Sequence, residues 1–195
     1  STPFDFGAAL TLASGGNLIV TSGGNVTQTG GALAIPGTTT ISAAGQDVTL
    51  NSANNNFTGA VSIDGKDVGV TDTNGIILGT STVTGTTTGF DITAGGTVTQ
   101  YAGTALTITG LTTISAASHD VTLTNASNNF QGGVEIRGAV VTITDLDTLI
   151  LGTSTVTGTY NVTATAGNIT QNGALIITGT TTLLTSGEGA TIDLS

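Results

Sequence analysis

The chain has 195 residues, of which only 7% are charged, and its two basic residues, Lys66 and Arg137, stand against twelve acidic ones for a net charge of −10. Nucleic acid or an anionic membrane surface is bound by neutralising phosphates with clustered Lys and Arg, and no such cluster exists here. There is no cysteine for a disulfide framework, and 44 threonines and 30 glycines against seven aromatics leave Val, Ile, Leu and Ala to build any core.

Disorder does not fit either. Low-complexity polar chains stay unfolded because they lack apolar area to offset ordering entropy, whereas 37% of this chain is hydrophobic and its mean hydropathy is +0.34. The apolar residues come two at a time between Thr, Asn and Gly, a β pattern throughout. No run approaches the ~18 apolar residues of a membrane helix, so no membrane insertion is expected. Ser1, with no Met before it, reads as the start of a mature or excised segment, and the lack of cysteine fits export across membranes.

In chain order, Asn25-Val26-Thr27-Gln28 is the first strand phrase. Ile41-Ser42-Ala43-Ala44 and Asp47-Val48-Thr49-Leu50 follow, then Asn55-Asn56-Phe57 and the run Ile77 to Thr86. The whole series then returns 73 positions later, as Ile114 to Ala117, Asp120 to Leu123, Asn128-Asn129-Phe130 and Ile150 to Thr159. The Thr-Gln phrase recurs at Thr97 to Gln100 and again at Asn168 to Gln171, which opens a partial third copy. Long repeats are therefore placed at approximately 18–90, 91–159 and 160–195 within one solenoid spanning 1–195.

Within the second copy, short strands about eight residues apart are bounded by Gly, Asn or Asp. With a period of two, Leu106, Ile108, Val121, Leu123, Val134, Ile136, Val141 and Ile143 face one way, and Thr107, Thr122, Glu135 and Thr142 the other. This predicts an all-β parallel β-helix with about three short strands per turn, roughly 24 residues per turn and about eight turns, so that one long repeat is about three turns. A β-sandwich would need hairpin turns, yet only Asn74-Gly75 and Asn172-Gly173 offer the Asn-Gly signal.

Gly-Asn-Ile-Thr-Gln at 167–171, Thr-Thr-Thr-Ile-Ser-Ala at 38–43 and Asn-Asn-Phe-Gln-Gly at 128–132 resemble the passenger repeats of filamentous-haemagglutinin-like adhesins and related autotransporters. The resemblance implies a right-handed parallel β-helix, a location outside the cell or on its surface, and a role as a rod that carries adhesive elements toward a host or cell-surface receptor.

Chemistry-bearing residues are few. His119 is the only histidine and aligns with Gln46 of the first copy, so a solvated turn is expected for it rather than catalysis or metal binding. Asp145 and Asp147 lie two apart in a turn like that of Asp72. Their oxygens would suit calcium, the one cofactor worth testing, although the glycine-rich calcium repeat is absent. Asn55, Asn56, Asn128 and Asn129 are expected to shape turns and hydrogen-bond to neighbouring coils, and Phe57 and Phe130 to fill a core corner. The Asn-x-Ser/Thr sequences at Asn25, Asn56, Asn125, Asn161 and Asn168 match glycan acceptors only as often as chance allows in such a composition.

The leading expectation is accordingly a non-enzymatic structural rod of a secreted bacterial adhesin or filament, its subunits stacking end to end by strand pairing. Two other readings stand beside it. Threonine-rich faces such as Thr107-Ile108-Thr109 and Thr142-Ile143-Thr144 are compatible with ice binding, and β-helices also serve polysaccharide-acting enzymes, for which this chain has few positioned acids or aromatics.

Overall fold

A computed structural model describes residues 2–195. Every described strand pair is parallel, and no described residue is helical. The chain is a parallel β-solenoid of about nine turns with about three strands per turn, one turn more than the sequence suggested. Register sets the turn length. Phe4 pairs with Val26 and Val26 with Val48, both steps of 22 residues, while Val61 pairs with Leu78 after 17 and Val83 with Ile108 after 25.

Two kinds of side make up each turn. One is a single strand of four to six residues, such as Leu18–Thr21, Ala60–Gly65 or Phe90–Ala94. The other is split into two pieces of two or three residues, such as Val48–Leu50 with Asn56–Phe57, or Ile76–Leu78 with Ser81–Val83. The two kinds alternate along the chain except at two places, where unbroken strands follow one another: Ala60–Gly65 then Val68–Asp72, and Gly133–Gly138 then Val141–Asp145. These places are 73 residues apart. One repeat therefore spans seven sides, three and a half turns of about 21 residues rather than three turns of 24. Val48 lies in the sheet of Val26 and Val68, whereas its repeat equivalent Val121 lies in the opposite sheet with Val98 and Val141. Each copy is thus turned by half a rotation relative to the one before.

The interior is one continuous apolar column running from Phe6 and Leu18 to Val162 and Ile169. Strand alternation places Val, Ile and Leu inward because their branched side chains pack on the pleated surface, and Thr outward. Leu106, Ile108, Val121, Leu123, Val134, Ile136, Val141 and Ile143 are all buried, as the alternation predicts. Phe57 and Phe130 are buried core residues. At one corner, glycines stack directly, and a Cβ on Gly59 or Gly132 would collide with the backbone of Gly37 or Gly110 one turn below.

Three buried hydroxyls in this column make no hydrogen bond: Thr39 Oγ1, Thr112 Oγ1 and Tyr160 Oη. Burial without a partner is unfavourable. Burial also pushes the Tyr160 phenol up to about 12. Thr112→Val and Tyr160→Phe remove those groups at nearly constant volume, and each is expected to raise unfolding free energy by about 1 kcal/mol, measured as a higher urea midpoint with an unchanged slope.

Candidate functional site

Backbone ladders satisfy a solenoid only while like lies over like. Wherever a split side meets an unbroken one, or a gap opens between two pieces of a split side, a backbone N–H loses its acceptor in the adjacent turn. Six of the eight buried polar residues sit at these seams; the other two, Thr39 and Thr112, open unbroken strands that pair with unbroken strands. Thr39, Asn55, Asp72, Ser81, Thr112, Asn128, Asp145 and Ser154 are the buried polar residues among those described, and they form four pairs, each 73 apart.

The asparagine clasp closes the gap in the split side. Asn55 Oδ1 accepts the Leu33 N–H at 2.9 Å and Gln28 Nε2 at 2.7 Å, while its Nδ2 donates to Leu50 O at 3.0 Å and to Gln28 Oε1 at 3.0 Å. Asn128 repeats this with the Leu106 N–H at 3.0 Å and a reciprocal amide pair with Gln100 at 2.6 and 3.0 Å. The second asparagine of each pair differs. Asn56 is half-exposed and Asn129 Oδ1 is buried without a partner, so neither builds the clasp. Gln28 and Gln100 are participants that sequence reasoning recognised only as part of the repeated Thr-Gln phrase.

Where an unbroken strand covers a split side, an aspartate replaces the missing carbonyl. Asp72 Oδ2 accepts the Phe57 N–H, and Asp145 Oδ1 the Phe130 N–H, both at 2.8 Å. Where a split side covers an unbroken strand, a serine does so: Ser81 Oγ accepts the Ile63 N–H at 3.1 Å and Ser154 Oγ the Ile136 N–H at 3.0 Å. Sequence reading singled out neither serine, although both stand inside the repeated Ile77 to Thr86 phrase.

The carboxylates considered for calcium do not converge. Asp72 and Asp145 are turned inward onto backbone, Asp147 is exposed, and among the described residues no three His, Cys, Asp or Glu groups lie close enough to share a metal. Desolvation raises both buried carboxyls, Asp145 to about 6, against the opposing pull of the backbone N–H groups they accept. His119 lies exposed in a turn, its Nδ1 3.2 Å from Ala116 O, in the place Gln46 takes one copy earlier. Lys66 bridges Asp47 at 3.4 Å and Asp67 at 3.2 Å on the surface, an arrangement worth little in stability. No described helix is long and apolar enough to cross a membrane.

Fold and seams together define a repeat protein of the parallel β-solenoid class. The chain belongs to the family described as repeats of unknown function (DUF5649), which matches residues 3–64, 65–137 and 138–195. The starts at 65 and 138 are again 73 apart, the same period in a different phase from copies at 18–90, 91–159 and 160–195. No curated protein and no solved structure matches the chain.

Proposed function

We propose that this chain is a structural rod segment of a secreted bacterial surface adhesin or extracellular filament. The observation that carries the reading is the repeated seam. Clasp, aspartate and serine recur at a fixed interval and keep one apolar column continuous through about nine turns, which is what a stiff spacer requires. At about 4.8 Å per turn the segment is about 40 Å long. Half-rotation between copies favours such a role, since a linear rod then presents equivalent surfaces on alternate faces. At the first and last described turns the inward-facing Phe4, in register with Val26, and Ile192, in register with Ile169, are exposed where a further turn of the same chain or of another copy would cover them, which suits strand addition. The likeness to filamentous-haemagglutinin-like repeats in sequence style points the same way.

Negative-stain microscopy and sedimentation across a concentration series test this. Unbranched filaments or rods about 40 Å long per chain are expected. Compact particles with no concentration dependence and no axial repeat would sink it.

One observation favours ice binding as a second reading. Thr99, Thr122 and Thr142 stack in register in three successive turns, with Asn161 and Thr182 continuing the column and Thr144 over Thr163 beside it. Threonine recurs once per turn on this stretch. Thermal hysteresis in the protein's solutions, abolished by Thr122→Lys, would establish this reading, and its absence at millimolar protein would remove it.

A further inference from the structure

Of the seven aromatic side chains, Phe57, Phe90, Phe130 and Tyr160 are essentially fully buried and Phe6 is 7% exposed. Phe4, although exposed, packs its ring edge-on against Phe6 at 4.8 Å. Tyr101 is the exception, 59% exposed with no aromatic neighbour. Tyr101 is thus the one aromatic ring with most of its surface in water, where a ligand can reach it.

The segment that carries it differs from its counterparts. Between the conserved-pattern glutamine and the following leucine, the first copy has Thr29 to Ala32, the third has Asn172 to Ala174, and the second has the longer Tyr101 to Ala105. This longer loop is held firmly. The Tyr101 N–H donates to Leu78 O at 2.8 Å, the Thr104 hydroxyl donates to Tyr101 O at 2.7 Å, and Gln100 Nε2 donates to Thr104 O at 2.8 Å while also bound into the Asn128 clasp. Gly103 supplies the positive φ of 78° that closes the turn. Beside it, the next turn contributes Thr124 and Asn125, and together Gln100, Tyr101, Ala102, Gly103, Thr124 and Asn125 line an open groove of about 270 Å³.

We propose that this groove is a carbohydrate-binding site for a neutral pyranose unit. The exposed part of the Tyr101 ring, at the edge of a groove whose lining is mainly polar, offers a surface on which a sugar's C–H face can stack while the phenol hydroxyl stays wet. The Tyr101 and Thr124 hydroxyls and Asn125 Nδ2 make no hydrogen bond within the described chain, so they are free for sugar hydroxyls; Asn125 Oδ1 is taken by the Ser127 N–H at 2.8 Å. The volume lies just below the ~300–1,000 Å³ of pockets for drug-sized ligands, which suits one ring rather than a buried chain. No lining residue is charged, and a protein of net charge −10 repels uronic or sialic acids, which selects neutral sugars. The loop in the Gln100 clasp makes the site rigid before binding, which reduces the ordering cost. This goes beyond the rod reading and does not depend on it.

The chain has no tryptophan and its other tyrosine is fully buried, so the exposed ring's proton resonances, and any sugar-dependent change in tyrosine emission over the Tyr160 background, report on Tyr101. Titrating the protein with neutral gluco-, xylo- and N-acetylglucosamine oligomers is expected to give, for at least one of them, a saturable Tyr101 signal with Kd of about 0.1–5 mM. Tyr101→Ala should weaken that binding at least about tenfold and Asn125→Ala about threefold, with the urea midpoint unchanged in both. Silence at Tyr101 from every oligomer up to about 20 mM, or binding that survives Tyr101→Ala, overturns the proposal. Neither result bears on rod length or assembly, which microscopy reads separately.

Discussion

Asn128→Ala is expected to lower unfolding free energy by roughly 3–5 kcal/mol, among the largest single-residue effects in the molecule. The substitution removes a side chain that is fully buried, leaves the Leu106 N–H and the Leu123 carbonyl without their side-chain partner, and strips each end of the Gln100 amide of one of its two hydrogen bonds. Each orphaned buried group costs about 1–3 kcal/mol. Asn129→Ala, one residue on, should change stability by less than about 1 kcal/mol, because its Oδ1 has no partner to lose. Urea unfolding followed by circular dichroism checks both. If the two variants fall together, the clasp is not what holds the split side closed. Because a solenoid's stability is carried by contacts between neighbouring turns, Asn128→Ala should also broaden the transition and speed exchange of the Leu106 amide before that of distant turns.

That contrast shows how far the sequence could be read. The 73-residue repeat, the inward alternation from Leu106 to Ile143 and the parallel coil follow from period-two patterning, which is local and carried by side-chain type. Turn length and phase do not, because they depend on how many residues each corner absorbs. Between Gly65 and Val68 the chain passes directly from one unbroken strand to the next, and nothing in the composition of that corner distinguishes it from one that opens a split side. Half a turn was therefore gained in each repeat relative to the expected three. The same limit applies to the seams. Asn55 and Asn128 stood out by repetition as coil-bonding residues, but which member of each Asn-Asn pair points inward is a register question. Asp72 and Asp145 read as turn acids whose oxygens would suit calcium, because aspartate usually sits at the surface. Their partners, the Phe57 and Phe130 amides, lie 15 residues away along the chain and meet them only through stacking.

Inward placement of those acids carries the second large expectation: the rod should become more stable on mild acidification. Asp145 is fully buried with its carboxyl raised to about 6 by desolvation, and Asp72 is shifted in the same direction by the same cause. A carboxyl whose folded pKa lies above its unfolded value near 3.9 holds its proton more tightly in the folded state, so the folded chain binds more protons through that interval. Stability therefore falls as pH rises from about 4 to about 6 and is lowest above it; for Asp145 the difference is about 2–3 kcal/mol. Asp5 and Asp193, both exposed, and the half-buried Asp67 are shifted the opposite way by hydrogen bonds, while Asp91 is raised by desolvation like the seam acids, and the sign is set by the fully buried pair. Asp145→Asn separates burial of charge from loss of the seam. The amide oxygen still accepts the Phe130 N–H, while the charge is gone and the Asp147 N–H, accepted by Oδ2 at 3.2 Å, loses its acceptor. The variant should show a much flatter dependence between pH 4 and 6.5. Asp145→Ala, which removes the acceptor as well, should be destabilised at every pH. A parent whose stability rises with pH across that window, or an Asn variant with an undiminished slope, would mean that the seam carboxyl stays ionised and that its backbone N–H partners outweigh its desolvation.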